Sequence, residues 1–479
     1  MTAYDEPTKL AWLEALNLPV VDAVTTEVVE EVDPHAKGKS ELGNAERLVA
    51  GHGGDFRYIA AWGWLVWDGQ RWVRDDTGEV VRRAKRTVRA MYAEAEGYED
   101  EARTKLVVHA LRSESAGQIK AMIELAQSEP GVAAKPSDFD TDPWLLNVAN
   151  GTLDLRTGLL REHRREDMIT KLAPVAYNAT AFSLRFSEFV RWMYSERPGM
   201  IDYVQRLLGY SLTGLANEHV LPIMWGSGGN GKSTLLDLVG RVLGDYAATA
   251  AAAMLVDRKG GEMTNDLARL FGTRFVVAHE SDEGAKLAEG LVKQMTGGDR
   301  LSVRFLHKEF FEFLPTFTIF LVTNHKPRVR GTDEGIWRRL RLIAHEAKVT
   351  EEMKDRDLAE KLWDDAEAVL AWLVAGCVAW KTRGLAMPEE VRLFTSDYRS
   401  EQDLIAEFLE DHTVADYKAT CFKSGLYKAY SGWAEERGER PISQKALSQK
   451  LQERGYIETK DTRNNRCWLG LRLDGEEES

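Results

Sequence analysis

Residues Gly226 to Ser233 read GSGGNGKS, a pattern whose residue types suit the binding of phosphate groups. Its glycines let successive backbone N–H groups face an anion, and a following helix adds the dipole of its amino terminus. In the pattern GxxxxGK[ST], Lys232 pairs with the β- and γ-phosphates of a nucleotide and Ser233 ligates Mg²⁺. We therefore predict a site for ATP and Mg²⁺ formed by Gly226, Ser227, Gly228, Gly229, Asn230, Gly231, Lys232, Ser233 and Thr234.

The loop needs a strand before it, a helix after it and a carboxylate at the end of a neighbouring strand. The apolar segment 220–225 supplies the strand, and LLDLVGRVLG supplies the helix. The next apolar strand, 274–280, ends in Glu280, which we predict to hold Mg²⁺ and polarise water. Asp282 and Glu283 follow as possible second carboxylates, with a solvated acidic turn as the alternative interpretation.

Two further polar positions complete the predicted catalytic set. Asn324 ends the apolar strand 317–324, where its amide can bind the attacking water or the γ-phosphate. The segment GIWRRLR contains Arg338 and Arg339, and arginine keeps its charge and can fork onto phosphate oxygens. We predict that one of them is an arginine finger, with Arg339 preferred and a basic helix face as the alternative.

The composition is that of a globular protein, with 44% hydrophobic and 29% charged residues among 479. No apolar run is long enough to span a membrane, and the acidic start MTAYDEPTKL lacks the features of a signal peptide. The three separated cysteines predict neither disulfides nor a zinc site, and they suit a reducing cytoplasm. A net charge of −13 leaves nucleic acid possible, because local fields govern its binding.

Changes in composition and in the pattern of apolar residues divide the chain into four predicted segments. Apolar strands alternate with helices from Val220 to about Glu346, which predicts a parallel sheet in an α/β domain. The segments are a poorly ordered lead-in (1–45), an α+β region (46–215), the α/β domain with following helices (216–385) and a C-terminal domain (390–479).

The order of these motifs resembles that of superfamily 3 helicases, an AAA+ branch, and more closely the phage and poxvirus primase-helicase family. The resemblance is carried by GSGGNGKST, RFVVAHE, KQMTGGDRLSVRFLHKEFFEF, LVTNHKP and WRRLRLI, together with the upstream NVANGTLDLRTG. It implies an AAA+-like P-loop core and a ring of identical subunits, expected to be a hexamer. No zinc-binding cysteine cluster or separate polymerase-like segment is found, so we expect no priming by this chain.

Two regions are predicted to contact DNA. The family has a hairpin in the ring pore, and the resemblance implies that His307 and Lys308 near its tip contact the DNA backbone. Arg304 and the neighbouring phenylalanines suit phosphate binding and base stacking, with a solvated hairpin as the alternative. The tail resembles a winged helix, with Lys445 on a helix capped by Ser443 and Arg463 at a hairpin tip, and it binds either DNA or protein.

The preferred hypothesis is an ATP-dependent DNA helicase of phage or plasmid replication. It would act on single-stranded DNA in the pore and duplex at the fork, with a separate primase or polymerase as a further partner. The alternatives are a packaging or remodelling ATPase, an origin-binding initiator switched by ATP and, least favoured, a small-molecule kinase.

Overall fold

The computed structural model describes residues 38–257, 264–279, 285–304, 309–329, 334–437, 441–461 and 463–474. These residues form two compact units. The first consists of the chain up to Val66 and again from Arg74 to Lys135, and the second of Trp67–Val73 and everything from Pro136 onward. The predicted lead-in lies mostly outside the described residues, within which the first helix begins at Glu41.

The first unit is mainly helical. Its first helix is capped by Ser40, whose hydroxyl accepts a hydrogen bond from Gly43 N, and its last by Ser115, which accepts from Gln118 N. An ion pair between Arg47 and Glu94 ties the first helix to the second. The helices are α1 (Glu41–His52), α2 (Glu79–Ala95), α3 (Asp100–Ser113) and α4 (Ala116–Ala126), and β1 (Phe56–Ile59) pairs antiparallel with β2 (Gly63–Trp67).

A five-stranded parallel sheet forms the centre of the second unit. Its strands lie in the order β13-β7-β12-β9-β8, and every neighbouring pair is parallel. All residues of TIFLVT in β12 are buried, as expected for a strand covered on both faces. The strands are β7 (Leu221–Trp225), β8 (Ala247–Ala251), β9 (Phe275–His279), β12 (Thr318–Thr323) and β13 (Leu340–Ala344).

Successive side chains of the sheet enter two different apolar cores. In β12, Phe320 and Val322 belong to one core, while Ile319 and Leu321 belong to the other. This alternation follows from the two-residue period of a strand. The flanking helices are α5 (Leu184–Met193), α6 (Pro198–Tyr210), α7 (Lys232–Leu243), α8 (Thr264–Ala268), α9 (Glu289–Gly297), α10 (Glu334–Trp337), α11 (Leu358–Trp363), α12 (Ala366–Arg383) and α13 (Glu389–Glu401).

The structure divides the predicted α+β region 46–215 between the two units. Residues beyond Lys135 join the second unit, where Leu146, Leu153 and Tyr210 lie in the same core as the sheet. The boundary of the α+β domain at residue 215 stays a prediction. The strands involved are β3 (Trp72–Arg74), β4 (Leu145–Val148), β5 (Gly151–Asp154) and β6 (Leu159–Arg161), and a short hairpin follows later from β10 (Leu301–Val303) and β11 (Phe311–Phe313).

The C-terminal region has an apolar core of its own, and that core begins at Ile405. The predicted boundary at residue 390 lies within α13, whose Tyr398 belongs to the sheet core and whose Thr395 hydroxyl accepts a hydrogen bond from Leu342 N. The region contains an antiparallel sheet in the order β14-β16-β15. Its elements are α14 (Leu404–His412), β14 (Thr413–Phe422), α15 (Lys423–Glu436), α16 (Gln444–Glu453), β15 (Ile457–Lys460) and β16 (Arg466–Leu473).

Candidate phosphate-binding site

The loop between β7 and α7 requires glycine at two positions for different reasons. At Gly226 an added Cβ would lie 2.4 Å from the carbonyl oxygen of His345. Gly231 has a φ of +80° and would place a Cβ 3.1 Å from Met193 and Phe189. Backbone packing as well as turn geometry therefore fixes the glycine pattern.

Lys232 is the first residue of α7 and is almost fully buried. Its ammonium group donates hydrogen bonds to the Gly226 carbonyl, at 2.6 Å, and to Asn230 Oδ1, at 2.9 Å. Burial lowers the pKa of Lys232 to about 8, because neither partner carries a charge that offsets the lost hydration. An anion entering the loop would supply that charge.

The side chain of Asn230 connects the loop to the last strand of the sheet. It is buried, and its Nδ2 donates to the carbonyls of Ser227, at 2.6 Å, and His345, at 3.1 Å. No sequence pattern connects Asn230 with His345, which are 115 positions apart.

His345 follows β13 and was not singled out by the sequence analysis. Burial, with Lys232 and Arg197 as smaller causes, lowers the pKa of His345 to about 3, so the ring stays neutral. The ring packs against Tyr194, with centroids 5.2 Å apart. A histidine directly after the apolar run LRLIA was the available signal, since a polar strand end beside the loop can be functional.

A cleft of about 290 Å³ opens over the loop at the carboxyl ends of the central strands. Its lining brings together Lys232, Ser233 and Asn324, three of the predicted site residues, while Gly226 and Ser227 do not line it. The parallel register explains this, because Trp225 pairs with Thr323 and the residues that follow both strands are neighbours. The lining consists of residues 228–234, His279 and residues 322–324.

The predicted carboxylates Glu280, Asp282 and Glu283 lie outside the described residues. His279, the last residue of β9, does line the cleft, and its Nε2 lies 3.8 Å from Asp237 Oδ1 of α7. His279 was not among the predicted site residues, although it immediately precedes the predicted acid at a strand end.

The two arginines of WRR lie in contrasting surroundings. Arg339 is buried, and its Nε donates to the Thr296 hydroxyl at 3.1 Å while its Nη1 donates to the Gly335 carbonyl. Arg338 is exposed. These contacts hold Arg339 within its own chain, so the exposed Arg338 becomes the better candidate for the predicted finger.

The predicted hairpin has the expected base, where Leu301 pairs with Phe313 and Val303 with Phe311. His307 and Lys308, at its predicted tip, lie outside the described residues. Arg304 is exposed and lies over the ring of Phe310, with 4.7 Å from its guanidinium carbon to the ring centroid. A cation on an exposed aromatic ring suits contact with a nucleic-acid strand.

A second cleft, of about 650 Å³, lies in the C-terminal region between the starts of α15 and α16 and the β15–β16 turn. Lys445 and Arg466 line it, and the predicted cap is confirmed because Ser443 accepts a hydrogen bond from Ala446 N. Arg463 is exposed in the turn, as predicted for a hairpin tip, although it does not line the cleft.

Other features of the described residues bear on the class of protein. Within the described ranges no helix is long and apolar enough to cross a membrane, and no cluster of three metal-ligating side chains is present. Cys377, Cys421 and Cys467 are all buried free thiols.

Comparison with known proteins identifies relatives among large DNA viruses. Residues 45–195 match the family described as "D5 N terminal like", and residues 224–339 match a family of unknown function, DUF5906. "Putative helicase L207/L206" of Acanthamoeba polyphaga mimivirus is 28% identical over 301 residues, which are 58% of this chain and 31% of that protein. "Putative primase C962R" of African swine fever virus (isolate Tick/Malawi/Lil 20-1/1983) is 25% identical over 322 residues, or 62% of this chain and 34% of that protein.

These matches support the similarity to a D5-like primase-helicase family that the motifs indicated. The chain spans about a third of the length of these two curated relatives. The solved C-terminal region of NrS-1 covers 90% of this chain and 100% of its own length, at 10% identity and a TM-score of 0.47.

Proposed function

We propose that the chain is an ATP-dependent DNA helicase of superfamily 3 that works in DNA replication as a ring of identical subunits. The observation that carries this proposal is the cleft in which Lys232, Ser233 and Asn324 converge at the carboxyl ends of adjacent parallel strands. The names of the viral relatives, helicase and primase, support a replicative role.

The cleft residues divide the work of nucleotide hydrolysis. Backbone N–H groups of the glycine loop and Lys232 would hold the β- and γ-phosphates, and Ser233 with Glu280 would hold Mg²⁺. Bound Mg²⁺ would neutralise charge that develops on the phosphate oxygens. Asn324 would orient the attacking water and respond to the loss of the γ-phosphate.

The position of Arg338 supports a site shared between subunits. Leu340 pairs with Leu221 and Ala344 with Trp225, so Arg338 precedes the amino end of β13 while the glycine loop follows the carboxyl end of β7. Six residues of strand correspond to about 20 Å, further than an arginine side chain extends. Arg338 would therefore act as a finger only on the cleft of a neighbouring subunit, in an AAA+ ring that we expect to be a hexamer.

The C-terminal region has the element order of a winged helix: helix, strand, two helices and a two-stranded hairpin. We propose that its cleft, with Lys445, Arg466 and the nearby Arg463, holds duplex DNA at the fork. The β10–β11 hairpin, with Arg304, His307 and Lys308, would contact the single strand in the pore. A separate primase or polymerase would supply primers.

Strand separation of a forked duplex tests the proposal. The purified chain with Mg²⁺ and ATP should separate forks, and the Lys232→Ala variant should not. Substrates with only a 5′ or only a 3′ tail would then give the direction of travel. ATP hydrolysis without any strand separation would overturn the helicase assignment and favour a packaging or remodelling motor.

An origin-binding initiator is the second candidate, favoured by the exposed cations around the C-terminal cleft. Such a protein would protect one specific duplex sequence, with ATP controlling its assembly and no unwinding by the full chain. Footprinting of mixed-sequence DNA, with and without ATP, distinguishes the two functions.

A further inference from the structure

Helix α2 carries a row of positive side chains that the nucleotide and C-terminal sites do not involve. Arg82, Lys85, Arg86 and Arg89 follow one another at spacings of three, one and three residues, and all four are exposed. Residues three, four and seven apart lie on one face of a helix, so the four charges share a single arc. We call these four residues the basic stripe.

The opposite face of α2 holds the stripe in place. Val80, Ala84, Val88 and Met91 are each at most 1% exposed and fix the helix to the core of the first unit. A helix that binds membranes needs its apolar face free, and here that face is already buried. The outward surface of α2 therefore offers mainly charge, beside one exposed apolar side chain, Val81.

Nearby carboxylates neutralise only a small part of this charge. Glu79 is shared by Arg82, at 2.7 Å, Arg83, at 3.1 Å, and Arg86, at 3.8 Å. Hydrogen bonding from Arg82 is the first cause of the lowered pKa of Glu79. Among the described residues, Lys85 and Arg89 form no ion pair.

The basic stripe results from the placement of charged residues in the first unit and not from an excess of basic residues there. Basic and acidic residues are equal in number within 38–66 and 74–135, and the whole chain has a net charge of −13. The stripe is thus a local concentration of positive charge on a chain whose net charge is negative. A row of cations without an exposed apolar centre lacks the composition of a protein interface core.

We propose that the basic stripe binds the sugar–phosphate backbone of duplex DNA without sequence preference. From Arg82 to Arg89 the helix rises about 10 Å, which matches about three phosphates along one strand. This inference rests on the proposed function only in taking DNA as the substrate. The basic stripe would give the first unit a role in binding duplex DNA that is separate from the role of the nucleotide site.

The proposal is tested by the binding of the full chain to a short blunt duplex in the absence of nucleotide. Fluorescence anisotropy measures this binding at several salt concentrations. The combined variant Arg82→Gln, Lys85→Gln, Arg86→Gln and Arg89→Gln should raise Kd about tenfold or more at low salt. It should also reduce the slope of log Kd against log salt by about 2 to 3, because each lost phosphate contact removes about 0.9.

The matched control removes the same total charge from exposed positions of α3 and α4: Arg103→Gln, Lys105→Gln, Arg112→Gln and Lys120→Gln. It should keep the wild-type slope and change Kd by less than about threefold. Equal weakening by both variants, or wild-type binding by the stripe variant, overturns the proposal. The proposal is also overturned if the stripe residues are needed for binding to anionic vesicles or to an acidic protein, while the stripe variant keeps the wild-type affinity for DNA.

Two further measurements separate folding and catalysis from DNA binding. If the fourfold variant unfolds in circular dichroism, the pair Lys85→Gln and Arg89→Gln replaces it, with an expected slope reduction of about 1 to 2. ATP hydrolysis without DNA should stay at the wild-type rate in the stripe variant. Because the binding assay contains no nucleotide, failure to hydrolyse ATP or to unwind forks would leave its result readable.

Discussion

The cleft over the glycine loop and the C-terminal cleft present positive charge in opposite ways. In the first, the residue Lys232 is 4% exposed, and its ammonium group is held by a carbonyl and an amide oxygen. In the second, the side chain of Arg466 is 69% exposed and Lys445 also lies in solvent. One site has a single desolvated charge in fixed geometry, and the other has hydrated charges at the start of α16 and around the β15–β16 turn.

This difference distinguishes a site suited to a reaction at a phosphate group from a site suited to binding a nucleic-acid strand. A desolvated cation contributes strongly to a phosphate contact, because water no longer screens it. Hydrated cations each contribute little, and their sum depends on salt. Single substitutions should therefore be severe in the first cleft and mild in the second.

Removal of the buried ammonium group should have the largest effect. Lys232→Ala is expected to abolish ATP hydrolysis, because the γ-phosphate loses the charge that the loop holds ready. Nucleotide-free binding of duplex DNA should stay within about twofold of wild type, since exposed cations elsewhere carry it. A phosphate-release assay checks the loss of hydrolysis, and anisotropy on the same preparation checks DNA binding. Hydrolysis at the wild-type rate would contradict the role of Lys232 in ATP hydrolysis.

The two neighbouring arginines should differ in the kind of damage that their loss causes. Arg338→Ala should lower kcat by about 10³-fold or more, as for other arginine fingers. Mixing it with Lys232→Ala subunits should restore hydrolysis, because some interfaces then pair an intact Lys232 with an intact Arg338. Absence of rescue on mixing would contradict a finger acting between subunits.

Arg339→Ala serves as the structural counterpart. It leaves the Thr296 hydroxyl and the Gly335 carbonyl without their donor, which should cost about 1–3 kcal/mol of unfolding free energy. Thermal unfolding should shift downward for Arg339→Ala and stay unchanged for Arg338→Ala. The reverse pattern would return the finger to Arg339.

The affinity for ATP should fall as pH rises through the pKa of Lys232. Burial lowers that pKa to about 8 in the nucleotide-free chain, whereas bound phosphates favour the charged form. Binding above pH 8 then takes up a proton, and Kd should rise by at most about tenfold per pH unit. Below pH 8 this group should add no pH dependence.

Titration with a fluorescent ATP analogue on both sides of pH 8 measures this effect. Lys232→Arg is the matched control, since a guanidinium stays charged throughout this range. Its binding should be weaker and should lose the pH dependence that is assigned to Lys232. An identical pH profile in both proteins would show that another group titrates.

Neutralising the C-terminal cleft should have the smallest effect. The pair Lys445→Gln and Arg466→Gln is expected to weaken duplex binding a few-fold and to reduce the salt slope by about 1 to 2. ATP hydrolysis without DNA should be unchanged. Salt-dependent anisotropy checks the slope, and complete loss of fork binding would show that this cleft dominates DNA recognition.

The parts of the fold that local sequence signals determine were predicted closely. The strand before the glycine loop was predicted at 220–225 and lies at Leu221–Trp225, and the strand ending near Asn324 lies at Thr318–Thr323. Apolar runs bounded by glycine or a polar residue mark such strands, and parallel pairing brings their ends together. The convergence of Lys232, Ser233 and Asn324 followed from that logic.

Contacts between distant parts of the chain were not predictable. The hydrogen bond from Asn230 to the His345 carbonyl and the burial of Arg339 beside Thr296 depend on tertiary packing. The same holds for α13, whose Tyr398 packs in the sheet core although a glycine and a proline precede the helix. Periodicity shows that a helix has a buried face but does not identify its neighbour.

The rate of ATP hydrolysis with and without single-stranded DNA tests most directly whether the cleft drives movement on DNA. We predict that DNA accelerates hydrolysis several-fold in the wild-type chain and has no effect on Lys232→Ala, which stays at background. An equal rate with and without DNA in the wild-type chain would contradict the coupling on which the proposed function rests.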